Sequence, residues 1–202
     1  MIKSDHSDQL VLSIGEERAV HLSKQELAAG LADIQQSPKD AGQLELIVCR
    51  PKVGERRELE QGELDLKWGL IGDNWLARGY RKTINGAAHP DMQINIMNAR
   101  AIALIAGERE RWKLAGDQFY VDLDLSDSNL PVGTRLQFGD AILQITAEPH
   151  LGCRKFMDRF GRDAAQFVNS DIGKALNLRG VNAKVVQAGK VGVGTLIRKL
   201  RA

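Results

Sequence analysis

The residues best suited to chemistry are gathered in residues 147–156, which read AEPHLGCRKF. Cys153 is followed directly by Arg154 and Lys155, and two fixed positive charges beside a thiol favour the thiolate, the form that attacks electrophiles and binds metals. Gly152 removes side-chain bulk next to the sulfur, so we expect a ligand to approach closely there. The alternative is a buried and inert Cys153, which is the usual state of a cysteine.

Other candidate site residues lie in turns elsewhere in the chain. Residues 69–73 read GLIGD, and two glycines around apolar residues indicate a tight turn that ends at Asp73. His89 stands in a His-Pro-Asp turn, and His150 precedes the cysteine by three residues. Each histidine is either a ligand or acid–base group, or a solvated side chain.

Three further reactive side chains have structural interpretations. Cys49 ends the apolar run 44–49, which predicts a buried strand residue. Asp122 and Asp124 alternate with apolar residues in the stretch 118–125. Paired carboxylates can serve acid–base or metal chemistry, but the outer face of an antiparallel strand explains them better.

Composition and charge exclude several classes of protein. The chain has 202 residues and is 43% hydrophobic, which suits one domain with a modest extension. Its net charge of +2 arises from 28 basic and 26 acidic residues that are interspersed, so we expect no nucleic-acid partner. Residues 1–20 contain no apolar core of signal-peptide length, and no run reaches membrane-spanning length. Two cysteines far apart in sequence suit free thiols in a reducing cytoplasm.

The elements that must position these residues are mainly short strands. Ser23 and Glu26 form a capping-box pattern that predicts a short amphipathic helix ending before Pro38. Phe156, Phe160, Ala164 and Phe167 recur at helical spacing, whereas residues 99–106 suit a buried strand or a helix equally. Predicted strands cover 44–49, 93–97, 118–125, 134–138, 141–146, 181–186 and 191–197.

This order of elements predicts a mostly β (α+β) protein. Many short strands with glycine turns are typical of a β-barrel with peripheral helices. We expect residues 1–43 to be an N-terminal extension with the short helix, and residues 44–202 to form the barrel domain.

Four stretches follow one another in the order GLIGDNW (69–75), LPVGTRLQFGDAILQIT (130–146), PHLGCRKF (149–156) and RGVNAKVVQAGKVGVG (179–194). Together they resemble the MOSC domain, the module found at the C-terminus of molybdenum cofactor sulfurases and as free-standing bacterial proteins. The third stretch is similar to the family's Pro-Arg-x-x-Cys loop and places Cys153 on its characteristic cysteine. The resemblance extends over residues 44–198.

The sequence departs from the family pattern at three places. His150 stands where many members have arginine. Residues 116–126 (GDQFYVDLDLS) replace the usual Gly-x-Phe-Gly-Glu-Asn segment, and Gly194-Thr195 replaces a Gly-Asp pair. Residues 1–43 have no counterpart, so the resemblance indicates a divergent member.

The resemblance implies a MOSC-like β-barrel that binds a molybdenum–pterin cofactor, with Cys153 as the molybdenum ligand. Its best understood relatives reduce N-hydroxylated compounds with electrons from partner proteins, so a small-molecule substrate and an electron-donor protein are expected. Pyridoxal phosphate binding belongs to the same set of implied properties. Basic side chains can bind the pterin phosphate through charge-assisted bonds, and a helix beginning after the cysteine adds backbone donors. The expected cofactor-binding residues are Arg154, Lys155, Arg179, His150, Asp73 and His89.

Two alternatives to the reductase remain. Cys153 can instead carry a persulfide received from a sulfur-donor protein, or the barrel can bind a pterin or another small anion without turnover. A zinc site is weaker, because four histidines and two cysteines give no evident set of four ligands. Hydrolysis by Cys153 with His150 or His89 lacks an orienting third residue.

Overall fold

The computed structural model describes residues 21–200, which form strands, α-helices and two 3₁₀ helices. The strands are β1 (Ala41–Cys49), β2 (Arg57–Leu59), β3 (Gln61–Asp65), β4 (Gly69–Leu70), β5 (Ile94–Asn98), β6 (Phe119–Asp122), β7 (Arg135–Phe138), β8 (Ala141–Ile145), β9 (Val181–Gln187), β10 (Gly189–Gly192) and β11 (Leu196–Lys199). The α-helices are α1 (Lys24–Ala29), α2 (Leu31–Gln35), α3 (Trp75–Arg78), α4 (Ala99–Ala106), α5 (Arg154–Asn169) and α6 (Asp171–Ala175), and the 3₁₀ helices are Pro90–Met92 and Arg109–Ala115. No helix within this part of the chain is long and apolar enough to span a bilayer.

Seven strands close into a barrel in the order β1-β6-β5-β9-β8-β7-β11. Closure comes from antiparallel pairing of β11 with β1, in which Ala41 lies opposite Arg198. Only the β5–β6 pair in this barrel is parallel. β2 extends the edge of β1, while β10, β3 and β4 form a small second sheet. The predicted barrel with peripheral helices is therefore confirmed.

Alternation along β6 separates two hydrophobic clusters. Phe119 and Val121 point into the barrel, whereas Tyr120 points outward into a second cluster beneath the helices. Phe156 and Phe160 of α5 belong to that outer cluster, and burial of each such side chain stabilises the fold by about 1.5–3 kcal/mol. The predicted alternation is confirmed. The expectation that the outward face is the solvent side of an antiparallel strand is wrong, because Tyr120 is fully buried beneath the helices and β6 pairs in parallel with β5.

The structure resolves the uncertain helices and corrects one strand. Residues 99–106 form α4, because Ala101, Ile102 and Ile105 share a buried face. The capping box is present, with Ser23 N–H donating to Glu26 at 2.8 Å. The prediction of one strand over 191–197 is wrong, because the chain turns between β10 and β11. The domain boundary at residue 44 stays a prediction, although β1 begins at Ala41.

Candidate functional site

Cys153 lies between β8 and α5, where it is the N-cap residue of α5 and is exposed. The Asn169 side chain clamps the preceding residue, since it accepts from Gly152 N–H and donates to Gly152 C=O, both at 2.9 Å. A Cβ atom on Gly152 would lie 2.8 Å from Val168 Cγ2. The expectation that Gly152 makes room for a ligand is therefore wrong. This glycine allows close packing of the loop on α5, and that packing fixes the position of the thiol.

The helix predicted after Cys153 is present, and it separates the two cations that follow the thiol. Successive residues on a helix point about 100° apart. Lys155 turns toward a cavity beside Cys153. Arg154 turns to the outer surface, where Arg154 Nε donates to Asp158 at 2.9 Å. The structure therefore places Lys155 in the candidate site and Arg154 outside it.

The cavity beside Cys153 has a volume of about 240 Å³, and we call it the cysteine pocket. It is lined by histidines His89 and His150 and by six cationic side chains, namely Arg50, Arg56, Arg78, Lys155, Arg159 and Arg179. None of the lining residues within 21–200 is acidic. The pocket thus places a thiol beside six cationic side chains, although the net charge of the whole chain is only +2.

Arg50 and Arg179 are the buried cations of the pocket, and we call the side that they form the rear wall. At one end of this wall, Arg50 is held by a buried carboxylate. Arg50 Nε and Nη2 donate to the two oxygens of Asp73, each at 2.9 Å, and the Asp73 side chain is fully buried. Arg50 Nη1 donates to Asn95 Oδ1 and to the Gly116 carbonyl. Such a bidentate pair fixes the plane of the guanidinium. Asp73 therefore positions Arg50 from behind instead of lining the pocket.

At the other side of the rear wall, Asp117 joins two of the expected site residues. Its side chain is fully buried and accepts from Arg179 Nη1 at 2.6 Å and from His150 Nε2 at 2.7 Å. Burial opposes the ionisation of Asp117, but Arg179 and His150 outweigh it and hold the pKa of this carboxyl below its usual value. Arg179 Nε is buried and has no hydrogen-bond partner among the described residues.

The state of His150 follows from this contact. An ionised Asp117 can only accept, so the ring hydrogen of His150 lies on Nε2. Burial, with the charge of Arg179, lowers the pKa of His150, so the ring is neutral at pH 7. Nδ1 is then left as a hydrogen-bond and proton acceptor.

The other four cations of the pocket form what we call its mouth, and they have no carboxylate partners among the described residues. Within residues 21–200, no carboxylate lies within 4.0 Å of Arg56, Arg78, Lys155 or Arg159. Gly116 adopts φ 91°, and a Cβ on it would lie 3.4 Å from Arg56 Nη2 and 3.9 Å from Arg159 Nη1. Burial and the nearby charge of Arg159 lower the pKa of Arg56. Because these guanidinium groups converge without a counter-charge, the mouth suits a ligand with more than one negative charge.

His89 enters the pocket from the opposite loop. Its Nε2 lies 3.6 Å from Glu148 Oε1, and its ring meets Tyr80 edge-on at 6.1 Å between centroids. The loop is tight, since Gly79 adopts φ 64° and a Cβ there would lie 2.1 Å from the Gly86 carbonyl oxygen. The turn therefore holds His89 against the Glu148 end of the cysteine loop.

The structure brings together most of the expected residues and adds others. Cys153, His150, His89, Lys155 and Arg179 line one pocket, Asp73 lies behind it and Arg154 outside it. Sequence reasoning missed Arg50, Arg56, Arg78, Arg159 and Asp117. Only the position of Asp117 carried a signal, because it lies in the segment 116–126 that departs from the family pattern.

Among the residues that the structure describes, the pocket offers one thiol, Cys153, and one thioether, Met92. Within residues 21–200, no three His, Cys, Asp or Glu residues are grouped to hold a metal ion. Cys49 is buried in β1, as predicted, and burial raises the pKa of its thiol. The donor set therefore fits a metal that arrives with most of its ligands on an anionic cofactor, and Cys153 can complete the coordination.

Comparison with solved structures identifies the fold. The structure is similar to the YUAD protein from Bacillus subtilis, with TM-score 0.54, 18% identity, and coverage of 80% of this chain and 97% of that one. It is similar to YiiM from Escherichia coli, with TM-score 0.52, 20% identity and coverage of 79% and 70%. YiiM from Geobacillus stearothermophilus gives TM-score 0.52, 14% identity and coverage of 79% and 75%.

These likenesses concern the fold. YiiM is a MOSC-domain protein, so the barrel is MOSC-like. No protein-family model and no curated protein matches the sequence.

Proposed function

We propose that the cysteine pocket binds a molybdenum–pterin cofactor with Cys153 as the metal ligand. The protein would use it to reduce N-hydroxylated or similar oxidised small molecules with electrons from a partner protein. The observation that supports this proposal is an exposed thiol in a pocket of six cations, of which only Arg50 and Arg179 have carboxylate partners among the described residues.

Each part of the pocket has a role in this proposal. Arg56, Arg159 and Lys155 at the mouth would hold the pterin phosphate, because converging guanidinium and ammonium groups form charge-assisted hydrogen bonds with phosphate oxygens. Cys153 supplies a soft thiolate, which suits a sulfur-rich metal centre. When bound, the cofactor supplies the two-electron redox chemistry, and the protein supplies binding and orientation. Neutral His150 holds its proton on Nε2 and can accept another at Nδ1.

The test is elemental analysis of protein purified from a host that makes molybdenum cofactor. Wild type should contain stoichiometric molybdenum, Cys153→Ser should lose it, and Cys49→Ser should keep it because Cys49 lies in the strand core. A purified wild type without molybdenum, from a host whose other molybdenum enzymes are loaded, would contradict the proposal.

A second candidate function is sulfur carriage, which one observation favours. Cys153 also lines an open groove of about 460 Å³ on the outer face of α5, together with Met157 and Asn169. A thiol open to that face can take sulfur from one protein and pass it to another. After incubation with a cysteine desulfurase, mass spectrometry should show one added sulfur on wild type and none on Cys153→Ser. Absence of the adduct from wild type would exclude this candidate.

Two other expectations stay predictions. Non-catalytic binding of a pterin or small anion predicts occupancy of the cysteine pocket without turnover of any N-hydroxylated substrate. Pyridoxal phosphate binding predicts an absorbing adduct with a lysine, for which Lys155 is the lysine in the pocket. Borohydride trapping followed by peptide mapping tests it.

A further inference from the structure

A second cavity lies on the other side of the rear wall of the cysteine pocket. We call it the side cavity; its volume is about 350 Å³, and it lies between residues 145–151 and 173–182. His150 and Arg179 line both cavities. The two spaces therefore share one wall, and that wall is fixed by the contacts of Asp117 to both residues.

The side cavity is largely apolar. Its walls include the buried side chains of Leu130, Ile145, Val168 and Val181. At its rim Leu151 is 49% exposed. Exposed aliphatic groups around an apolar hollow favour a ligand with a hydrocarbon or aromatic body.

Most of the other polar groups that line the cavity make contacts within the protein. Asp127 accepts from Asn177 Nδ2 at 2.9 Å, and Glu148 faces His89. Asn182 is fully buried, with its Oδ1 accepting from Asn95 and its Nδ2 donating to the Glu148 carbonyl. These groups therefore offer little to a ligand.

Two donors at the cavity have no protein partner among residues 21–200, namely the ammonium group of the exposed Lys174 and the Nε of Arg179. Lys174 has no carboxylate within 4.0 Å among residues 21–200, and it lines the cavity. Arg179 Nε is buried without an acceptor at the shared wall. A solvent-accessible ammonium group and one buried, unsatisfied guanidinium N–H beside an apolar hollow favour an anionic head group.

We infer that the side cavity binds a small amphipathic organic carboxylate. Its apolar body lies against Leu130, Ile145 and Val168, and its carboxylate faces Lys174 and the Arg179 wall. Because His150 and Arg179 separate the cavity from the cysteine pocket and line both, the ligand contacts a wall of the proposed cofactor site without entering it. That relation to a cofactor rests on the proposed function, whereas binding itself does not.

The test uses metal-free protein and straight-chain carboxylates from butanoate to octanoate, measured by isothermal titration calorimetry. Each added methylene should tighten binding roughly fourfold until the cavity is full. Alcohols and alkylammonium ions of equal length should bind at least about tenfold more weakly, because they lack the charge-assisted bonds. Equal binding of carboxylates and alcohols, or no binding of any of them, would overturn the inference.

Variants locate the site without disturbing the core. Ala147 is exposed and lines the cavity, so Ala147→Trp should fill it and abolish octanoate binding. Ile84→Trp, on an exposed loop outside the cavity, is the matched control and should bind normally. Lys174→Gln should weaken octanoate about tenfold and leave octanol unchanged, whereas Lys190→Gln should change neither. Octanoate binding that survives Ala147→Trp would place the ligand elsewhere and overturn the inference.

The outcome is separable from that of the proposed function. If wild type proves to contain no molybdenum, octanoate should still bind to wild type and to Cys153→Ser, because that test uses metal-free protein. Conversely, Ala147→Trp should lose the carboxylate site and keep the molybdenum content of wild type.

Discussion

The rear wall and the mouth of the cysteine pocket both contain arginines, but the rear-wall arginines are paired with carboxylates and the mouth arginines are not. Arg50 and Arg179 in the rear wall are buried, and each is bonded to a fully buried aspartate. Arg56 and Arg159 at the mouth approach one another over Gly116 without a carboxylate partner among the described residues.

The difference follows from solvation. A buried cation without a partner costs several kcal/mol, so a rear-wall arginine is stable only with its carboxylate. A mouth arginine keeps part of its hydration and tolerates an uncompensated neighbour. The rear wall thus contributes stability and orientation, while the mouth keeps its charge available to a ligand.

Removing the rear-wall carboxylate should have the largest effect. Asp117→Ala leaves Arg179 buried and unpaired and removes the acceptor of His150. We expect the free energy of unfolding to fall by about 3–5 kcal/mol, measured by urea denaturation. Asp122→Ala, which breaks a partly exposed pair with Arg100, is the control and should cost about 0–1 kcal/mol. Equal losses in the two variants would contradict a special role for the rear wall.

Neutralising the mouth should instead affect ligand-dependent stability. Pyrophosphate at about 100 times its dissociation constant should stabilise wild type by about 2.7 kcal/mol. In the double variant Arg56→Gln/Lys155→Gln this gain should largely vanish, while stability without pyrophosphate is retained.

The matched control for the mouth is Arg57→Gln/Arg154→Gln. It changes the net charge equally at the neighbouring positions, whose side chains face solvent and pair with Glu55 and Asp158. It should keep the pyrophosphate response measured by thermal unfolding. Equal loss in both double variants would mean that net charge, and not the mouth, governs the response.

A titration of the rear wall should give a smaller effect. The folded pKa of His150 is lowered, so between about pH 6.5 and that folded pKa the unfolded state binds the extra proton. Stability should therefore fall as pH drops from 7.5 to 5.5, by up to about 1.4 kcal/mol per pH unit below 6.5. The Asp117 contribution is lost only at lower pH, below the usual carboxyl range near about 3.9, because its folded pKa is depressed.

Two histidine variants test whether His150 causes this dependence of the unfolding free energy on pH. His150→Gln keeps a donor for Asp117 and should flatten the dependence of unfolding free energy on pH between 7.5 and 5.5. His89→Gln, in the same pocket but next to Glu148, should leave the wild-type slope in place. A slope unchanged in His150→Gln would show that the ring is not buried in its neutral form.

More of the barrel than of the cysteine pocket's mouth could be predicted from the sequence. Period-two alternation in residues 118–125 and the helical spacing of Phe156 and Phe160 are local patterns, and they correctly predicted the inward face of β6 and the helix α5. The outer cluster was not predicted, because burial of Tyr120 depends on helices that are distant in sequence. The identity of Cys153, His150 and Arg179 as neighbours came from ordered motifs. By contrast, Arg50, Arg56 and Arg159 meet only because β1, its following loop and α5 converge at one end of the barrel, and no local pattern encodes that convergence.

The smallest expected effect is the response of the mouth to simple salt. Raising ionic strength from about 0.01 M to about 0.15 M shortens the Debye length from about 30 Å to about 8 Å. Repulsion between Arg56 and Arg159 should be screened, and wild type should gain a few tenths of a kcal/mol in unfolding free energy. Arg56→Gln removes one of the repelling charges, so its gain should be smaller than that of Arg57→Gln. If salt destabilises wild type instead, attraction within the paired rear wall outweighs repulsion at the mouth, because screening weakens the attraction as well.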